Sequence, residues 1–537
     1  MLKQLRLYGL TQKKRNTLYA VLLIILLIYV VTWTQRPITS VKEYYTPLTS
    51  KLSPCMVEID CKRFYHTCSN SDRKKCVKEA FLFAWTNYHN FAWGHDHLKP
   101  ESRGYDDSLF GLGATLIDSL TSLHLLGFKE ELAVSRAWIE KSFDPKKSYG
   151  KISLFEVTIR LIGSLISTYH LTGDKLYLDK AMEIGNISMH CFKDSEIPHI
   201  GLSLSEGTCN TDQAKECLFE DCSNSEACKY YYCKAEISEV GTLGLEFRAL
   251  SAASGDMRYW KTVNKTSDKL LEYKTWHGLV SRFLYKDEGR YVESSDVAAG
   301  PGVDSYYEYL LKQWVHSNFT ATRFKSQYLK AVEGMKERLM VWVRLRGRRV
   351  SVLGHRANNV TLSADLHHLS CFLPGTLALG HFYGLPKWHL DLAEEIMQSC
   401  YYLYTTQPTG LAAEFVRFRP EGVEALSSEN HLRPETVESL FVLWRITGNE
   451  KYRDMAWNIF QAFERVSRNC NGYTAVYDVR DVHTVTLDVT ESFFLAETLK
   501  YLYLLFEDDV DVLSFDKWVF NTEAHPLPIF DDFQGWY

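Results

Sequence analysis

The sequence is poor in features that mark several classes of protein. Residues 1–36 contain neither a cysteine nor an acidic residue, and the first of the thirteen cysteines is Cys55. Over the whole chain, 61 lysine and arginine residues are outnumbered by 66 acidic ones, so the net charge is −5. Because nucleic-acid-binding proteins carry a surplus of positive charge, we expect no nucleic-acid partner.

Long apolar runs are rare as well, and only one is present. The uncharged run Leu18–Trp33 is just long enough to cross a thin bilayer. Five basic residues precede it: Lys3, Arg6, Lys13, Lys14 and Arg15. By the positive-inside rule the N-terminus stays in the cytoplasm and the rest of the chain is lumenal. A cleaved signal peptide is the alternative, but no small-x-small cleavage site follows the run, so we favour an uncleaved anchor.

All the cysteines lie on the lumenal side of this anchor, which suits an oxidising compartment. The cluster from Cys209 to Cys233 lacks the C-x2-C pairs of common zinc sites, so we favour a disulfide-stapled loop there. The odd total leaves at least one thiol unpaired or intermolecular. Four N-x-S/T sequons also fall on this side, at Asn186, Asn264, Asn318 and Asn359.

From Val77 onward apolar residues recur at helical spacing almost to the end, and strand-like alternation is sparse. Seven segments are apolar all round, and amphipathic segments run between them: 111–120, 154–171, 238–250, 304–315, 371–384, 433–446 and 491–506. Helices that are apolar all round must be buried, so an inner ring inside an outer ring is favoured. This predicts an all-α (α/α)7 barrel with seven inner and seven outer helices.

The resulting domain plan has four parts. We expect a cytoplasmic tail at 1–16, a transmembrane anchor at 17–34, a lumenal stem at 35–76 and a catalytic domain at 77–537. Three amphipathic segments begin with a shared phrase, at Thr172 (TGDK), Ser254 (SGDM) and Thr447 (TGNE), which indicates a weak internal repeat.

Carboxylates recur near the ends of the predicted inner helices, among them Glu156, Asp304 and Glu435. A buried carboxylate is costly unless it is paired or used, and several converging on one cavity suit carbohydrate hydrolysis by an acid and a base. Each also has an ordinary explanation, such as a helix cap for Asp304, a first-turn acid for Glu435 or an ion pair between Glu156 and Arg160. It is the number of such acids that favours a site.

Several long phrases at these positions resemble glycoside hydrolase family 47, the class I α-mannosidases, from about Lys78 to Phe530. They include FAWGHDHLKP, LFEVTIRLIGSLISTYHLTGD, DSYYEYLLKQW, CFLPGTLALG, LRPETVESLF, ESFFLAETLKYLYLLF and VFNTEAHPLPI. The resemblance implies an (α/α)7 barrel, one Ca²⁺ and inverting hydrolysis of terminal α-1,2-linked mannose. The expected substrates are high-mannose N-linked glycans of glycoproteins in the endoplasmic reticulum or Golgi, reached by a single-pass type II membrane protein.

The resemblance also implies roles for individual residues. Glu435 matches the general base, and Glu156 or Asp304 matches the general acid, the former acting through water. Thr522 matches the residue whose hydroxyl and carbonyl bind Ca²⁺. Residues matching those that hold waters, sugar or the catalytic network are Arg160, Glu239, His368, Glu414, Arg433, Glu438, Glu497 and Glu523, while Phe493 matches an aromatic that packs on the sugar. Cys371 and Cys400 match a disulfide pair.

One departure from the family pattern concerns Gly302, two residues before Asp304, where relatives carry Arg or Leu. We expect open space there and relaxed choice between glycan branches. Two rival functions differ in class or substrate. The first is a glycan-binding receptor of the same fold without turnover, which should lack at least one of the three catalytic carboxylates, although all three are present; an ER-degradation-enhancing mannosidase-like protein that marks or binds misfolded glycoproteins is its variant. A barrel glycosidase acting on glucose polymers without calcium is disfavoured by FNTEAHPLP.

Overall fold

A computed structural model describes residues 69–530, apart from residues 194, 210–233, 287–288, 294 and 359. The predicted tail, the predicted anchor and nearly all of the predicted stem therefore lie outside the described residues. Within the described part, no helix combines the length and the apolar character needed to cross a membrane.

Helices with one buried face alternate along the chain with helices that are largely buried. The described part of the chain forms fourteen principal helices. They are α1 (Asn70–Phe91), α2 (Leu120–Leu125), α3 (Lys129–Ser142), α4 (Gly163–Thr172), α5 (Lys175–Ser188), α6 (Gly244–Ser254), α7 (Arg258–Glu272), α8 (Asp304–His316), α9 (Thr322–Arg338), α10 (Leu373–Phe382), α11 (Trp388–Thr405), α12 (Glu435–Thr447), α13 (Lys451–Ala462) and α14 (Leu499–Leu505). Shorter helical segments are Ala114–Asp118, Pro145–Lys147, Leu154–Glu156, Met189–Phe192, Ile237–Gly241 and His368–Phe372, with π-helical turns at Val157–Ile162, Phe463–Ser467 and Phe494–Thr498.

The even-numbered helices are the buried ones, and six of them overlap apolar segments singled out in the sequence. The first segment, 111–120, instead contains the short helix Ala114–Asp118 and reaches α2 only at Leu120. Each even-numbered helix contacts the next even-numbered helix, and the π turn that leads into α14 contacts α2. The odd-numbered helices pack outside them, as in α7, where Tyr259, Val263, Thr266 and Leu270 face inward at three- and four-residue spacing. The prediction of a mostly helical domain is confirmed.

Glycines mark the joints between buried and outer helices. Helices α4, α6 and α12 end at Gly173, Gly255 and Gly448, whose φ angles are 73°, 76° and 65°. In this left-handed conformation the glycine N–H donates back to a carbonyl of the last turn, which closes the helix at little steric cost. These are the glycines of the three shared phrases, so the weak repeat is a repeated helix ending.

The first helix begins inside the segment predicted as stem. Ser69 and Asp72 form a capping box, in which each accepts a backbone N–H from the other, and α1 starts at Asn70. Its first turn is polar, and its first buried side chain is that of Cys76. Because this turn has no apolar periodicity, the sequence pattern does not predict the start of the helix.

Short antiparallel strands join the helices. They pair as His97–Lys99 with Gly104–Asp106, Met340–Leu345 with Arg348–Leu353, His355–Ala357 with Thr361–Ser363, Arg468–Asn469 with Gly472–Tyr473, and Trp518–Phe520 with Pro526–Pro528. Three-stranded sheets are Ile152–Ser153, Gly201–Ser203, Thr208–Cys209; Lys234–Glu236, Phe283–Tyr285, Arg290–Tyr291; and Asp365–His367, Phe415–Phe418, Val423–Ser427. Strands of two to six residues are too short for alternation to be recognised in the sequence.

Two disulfides join pairs of described residues, and Cys76 and Cys470 are disulfide-bonded as well. Cys371 bonds to Cys400, which ties the turn before α10 to α11. Cys191 bonds to Cys209, the first cysteine of the predicted stapled loop. The other cysteines of that loop lie outside the described residues.

Candidate active site

A cavity of about 340 Å³ opens where the N-terminal ends of several buried helices meet. Eleven of the residues predicted to form the site line it: Glu156, Arg160, Glu239, Asp304, Arg433, Glu435, Glu438, Phe493, Glu497, Thr522 and Glu523. His368 and Glu414 lie behind this lining and bond to members of it. Predicted site residues from segments that are far apart in the sequence thus converge on one acidic cavity.

Glu435 is the first residue of α12, and His368 holds its carboxylate. Oε2 of Glu435 lies 2.8 Å from Nδ1 of His368, whose Nε2 lies 2.8 Å from the Tyr404 hydroxyl. Burial acts to raise the pKa of Glu435, but the hydrogen bond and charge of His368 and the charge of Arg433 hold that pKa below its ordinary value. Glu435 is therefore an ionised carboxylate on the cavity wall, which is the state required of a base.

Asp304 is the first residue of α8 and has the opposite electrostatic setting. The only hydrogen bond to its carboxyl group among the described residues is from the backbone N–H of Ser305 at 2.9 Å. Burial, with repulsion from Glu435 and Glu308, raises the pKa of Asp304 to about 7, despite this N–H. Asp304 therefore keeps its proton at mildly acidic pH, while Glu435 across the same cavity does not.

Glu156 is tied to Arg160 one helical turn later. Arg160 Nε donates to Glu156 Oε2 at 2.6 Å, and Arg160 Nη1 bonds to Glu523 and, at 3.0 Å, to Ser492 Oγ. The bend that brings these groups together is the π turn Val157–Ile162, a geometry that recurs at functional sites. Arg160 thus links two cavity carboxylates to a fixed point on the last buried segment.

Beneath this arginine, Asp118 anchors the network. Asp118 accepts from Ser492 Oγ at 2.5 Å and lies 3.0 Å from His525 Nε2 and 3.4 Å from Arg160 Nη1. Although burial opposes ionisation, the hydrogen bond to His525 and the charge of Arg160 lower the pKa of Asp118 to about 2. The negative charge of Asp118 therefore offsets part of the positive charge of Arg160.

Arg433 supports the other side of the cavity. Its Nε donates to Glu414 Oε2 at 2.5 Å, and Glu414 Oε1 accepts from the backbone N–H of His431 at 3.3 Å. The guanidinium carbons of Arg433 and Arg160 lie 5.7 and 5.8 Å from the ring centre of Phe493. Both cations thus contact Phe493, whose ring lies on the cavity wall, where a sugar face can pack.

Four further carboxyl groups crowd the floor and flank of the cavity. Burial raises the pKa of Glu239 to about 7, with help from Glu236 and Glu156, and that of Glu438 to about 8. Burial and mutual repulsion also raise the pKa values of Glu497 and Glu523 well above the ordinary range. Lys312 is the nearest cation to Glu438, at 3.8 Å. The cluster is therefore short of positive charge.

Thr522 lies beside this cluster in the turn of the hairpin formed by Trp518–Phe520 and Pro526–Pro528. Asn521 fixes the turn by accepting from the N–H groups of Glu523 and His525 at 3.0 and 2.8 Å. Its amide donates to the Ile159 carbonyl at 3.0 Å and to Glu246 Oε1 at 2.8 Å. The threonine that was predicted to bind calcium is thus held rigidly against the cavity.

The donors around Thr522 fit a hard cation, which prefers oxygen ligands. Among the described residues, no three histidine, cysteine or acidic side chains are placed to hold a metal ion directly. A cation here would therefore take the Thr522 oxygens and reach the surrounding carboxylates through water. Such an ion would also supply the positive charge that the acid cluster lacks.

The expectation of open space at Gly302 is wrong. A Cβ atom there would lie 2.8 Å from Nε of Arg282 and 3.0 Å from Oε2 of Glu236. Both side chains line the cavity, so the room left by the missing side chain is filled by an arginine from another element. Sequence reasoning failed because the pair of short strands that places Arg282 and Glu236 gives no helical or alternating signal.

Two further residues of the site, one in the cavity wall and one in the network behind it, were missed although a signal existed. Glu308 lines the cavity one helical turn after Asp304, at the spacing that puts two residues on one helix face. Asp118 is an acid within an apolar segment, the same pattern that drew attention to Glu156. Both could have been predicted by the rule used for their neighbours.

Known proteins with similar sequences belong to one family of glycosidases. The sequence profile of glycosyl hydrolase family 47 matches residues 80–529. The human endoplasmic reticulum mannosyl-oligosaccharide 1,2-alpha-mannosidase is 41% identical over 470 residues, which are 85% of this chain and 64% of the human protein. The enzyme of the same name from Schizosaccharomyces pombe is 36% identical over 490 residues, covering 85% of this chain and 89% of the yeast protein. The chain thus spans less than two thirds of its human relative.

A solved structure is similar over the same region. The alpha-1,2-mannosidase from Trichoderma reesei superposes with a TM-score of 0.77 at 26% sequence identity. The match covers 86% of this chain and 100% of that one.

Proposed function

The chain belongs to glycosyl hydrolase family 47, and from this premise we propose that it hydrolyses terminal α-1,2-linked mannose of high-mannose N-linked glycans, with inversion at the anomeric carbon. The observation that carries the proposal is the pairing of an ionised Glu435 with a protonated Asp304 in one cavity. A glycan-binding protein without turnover would not need two carboxyl groups with opposite protonation states.

In this mechanism Glu435 removes a proton from the attacking water, and His368 steadies the carboxylate as it does so. Asp304 holds the proton that the leaving oxygen requires, since its pKa of about 7 leaves it protonated in a mildly acidic lumen. Glu156 is held by Arg160 and orients water or sugar hydroxyls beside it. Between the two candidate acids, this favours Asp304 as the direct donor.

The residues present would hold Ca²⁺ through the hydroxyl and carbonyl of Thr522. Glu438, Glu497 and Glu523 would hold its waters. When bound, the ion would bind sugar hydroxyls and offset the charge of the buried acids. Phe493 packs on the sugar ring, while Arg160, Arg433, Glu239 and Glu414 complete the polar wall.

The fourteen helices form an (α/α)7 barrel, as their contacts from one even-numbered helix to the next support. The protein acts in the lumen of the endoplasmic reticulum or Golgi, anchored by residues 17–34. Support for this location comes from the disulfides Cys371–Cys400 and Cys191–Cys209, since such bonds persist in oxidising compartments.

The test is incubation of the purified full-length protein with a high-mannose oligosaccharide and with α-1,2-, α-1,3- and α-1,6-linked mannose disaccharides. We expect release of free mannose from the oligosaccharide and from the α-1,2 disaccharide only. Nuclear magnetic resonance of the fresh product should show β-mannose first. Binding of the oligosaccharide without any release of mannose would favour the glycan-binding alternative instead.

A further inference from the structure

An ion pair that none of the proposed catalytic steps uses lies in the wall of the cavity. Arg282 donates to Oε1 of Glu236 from Nε at 3.0 Å and from Nη2 at 2.6 Å. Both residues line the same cavity as Asp304 and Glu435. The Arg282 side chain retains 38% of its exposure, so it is open to the cavity and available to a ligand.

The backbone fixes the two partners before any ligand arrives. Glu236 ends one strand and pairs with Phe283, which begins the neighbouring strand directly after Arg282. The Arg282 carbonyl accepts from the N–H of Ile237 at 3.1 Å, and its own N–H donates to the Asp296 carbonyl at 3.0 Å. Arg282 is thus held both at its backbone and at its guanidinium. Ordering this side chain when a ligand binds therefore costs little conformational entropy.

Gly302 provides the space in which this guanidinium lies. Its φ angle of +82° is strained for any other residue, and a Cβ atom would come within 3.0 Å of both members of the pair. Gly302 also accepts from the N–H of Ser238 through its carbonyl at 3.0 Å, which joins it to the short helix Ile237–Gly241 that directly follows Glu236. Arg282 therefore packs on bare backbone only two residues from Asp304.

Arg282 also borders a second cavity. This neighbouring space, of about 270 Å³, shares Arg282 and Pro301 with the first and is lined further by Asp296, His355, Asp365, His367 and Phe415. Carboxylates, imidazoles and one aromatic ring are the groups that bind sugar hydroxyls and sugar faces. The rings of His355 and His367 lie 6.1 and 5.8 Å from that of Phe415. A branched oligosaccharide could place one arm in each cavity.

We propose that Arg282, fixed by Glu236 over Gly302, binds the oligosaccharide between these two cavities and selects which branch reaches Asp304 and Glu435. This rests on the proposed function. A guanidinium has five N–H donors in a rigid fork, and Glu236 engages only its Nε and Nη2 groups. The remaining donors point to hydroxyls of whichever arm fits their geometry.

The experiment compares the full-length wild type with Arg282→Met, which keeps the length of the side chain and removes its charge and donors. Both are given a high-mannose oligosaccharide with several α-1,2-linked termini, and the first product isomers are separated and quantified over time. The small α-1,2-linked mannose disaccharide, which is too short to reach the second cavity, is the reference substrate. The matched control is Arg419→Met, which breaks the exposed pair with Glu424 away from both cavities.

For Arg282→Met we expect the ratio of product isomers to change by about tenfold, as the loss of a hydrogen bond to a charged group implies. Gly302→Ala should change the ratio in the same direction, because its Cβ displaces the guanidinium, and should also lower the melting temperature. The ratio of product isomers formed by Arg419→Met should equal that formed by wild type.

Two results would overturn the inference while leaving the proposed function intact. One is an unchanged isomer ratio in Arg282→Met, which would make the pair a structural feature only. The other is an equal loss of kcat/KM on the oligosaccharide and the disaccharide, which would assign Arg282 to the reacting sugar rather than to branch choice. Failure of wild type to release mannose from either substrate would instead overturn the proposed function.

Discussion

Nδ1 of His368 lies 2.8 Å from Oε2 of Glu435, on the side of the carboxylate that faces away from the cavity. The other ring nitrogen of His368 contacts the hydroxyl groups of Tyr404 at 2.8 Å and Thr436 at 3.1 Å. In either the Nδ1–H tautomer or the imidazolium, Nδ1 of His368 donates its proton to the Glu435 carboxylate. His368 is therefore a positioning residue that keeps the base ionised.

Removing this imidazole should shift the pH dependence of the reaction. In His368→Ala the pKa of Glu435 loses the contact that lowers it, while burial still raises it. Since Glu435 must be ionised to act, the acidic limb of the kcat/KM profile should move to higher pH. His381→Ala, a histidine outside the cavity, is the matched control and should leave the limb in place. An unmoved limb in His368→Ala would exclude the positioning role.

Glu435→Gln tests the base directly. The amide keeps the shape of the side chain but cannot take a proton, so kcat should fall by about 10²–10⁴-fold. Binding of the oligosaccharide, measured by calorimetry, should survive because Arg433, Phe493 and the floor of the cavity are unchanged. Glu424→Gln, an exposed glutamate outside the cavity, should retain full turnover. Normal turnover in Glu435→Gln would remove this residue from the role of base.

The choice between Asp304 and Glu156 as acid can be made from the alkaline limb of the same profile. Because the pKa of Asp304 is raised to about 7, the wild-type rate should fall as pH rises through that value and the proton is lost. Asp304→Asn should be much slower, and its residual rate should lack this limb. Glu156→Gln should be impaired but keep the limb. If the limb persists in Asp304→Asn and disappears in Glu156→Gln, the assignment is reversed.

Much of this architecture could be predicted from sequence because helical periodicity is a local signal. The segment 304–315 was recognised as a buried helix, and α8 spans Asp304–His316. Glu435, placed after a proline at a predicted helix start, is indeed the first residue of α12. Acids at such helix starts converge once the helices pack side by side. The helical periodicity and the family resemblance together therefore predict most of the residues that line the cavity.

What could not be predicted depends on contacts between distant segments. The short strands that carry Glu236 and precede Phe283 have no alternation to recognise, and their pairing alone brings Arg282 over Gly302. The opposite protonation of Asp304 and Glu435 is likewise set by neighbours such as His368, which lies 67 residues from Glu435 in the chain. Residue type predicted that these carboxyl groups matter, while their division into acid and base required the structure.

Calcium should bind in competition with protons at the floor of the cavity. The pKa of Glu438 is about 8 in the folded protein, against an ordinary value of 4.5. The folded protein therefore binds more protons than the unfolded chain between these values, and stability is lost as pH rises through about 8. A divalent cation beside Thr522 would supply the charge that protons supply at low pH. We thus expect calcium to stabilise the protein more at pH 8 than at pH 5.5.

The measurement is the melting temperature of the full-length protein at both pH values, with chelator or with saturating calcium. At a calcium concentration 100 times the Kd, the stabilisation should reach about 2.7 kcal/mol where binding is strongest. Thr522→Val keeps the side-chain shape but removes the hydroxyl, so it should lose most of this response and most of the activity. Magnesium, which demands a tighter octahedral shell, should substitute poorly. Equal melting temperatures in chelator and calcium at pH 8, together with unchanged activity in chelator, would show that the acid cluster functions without the ion.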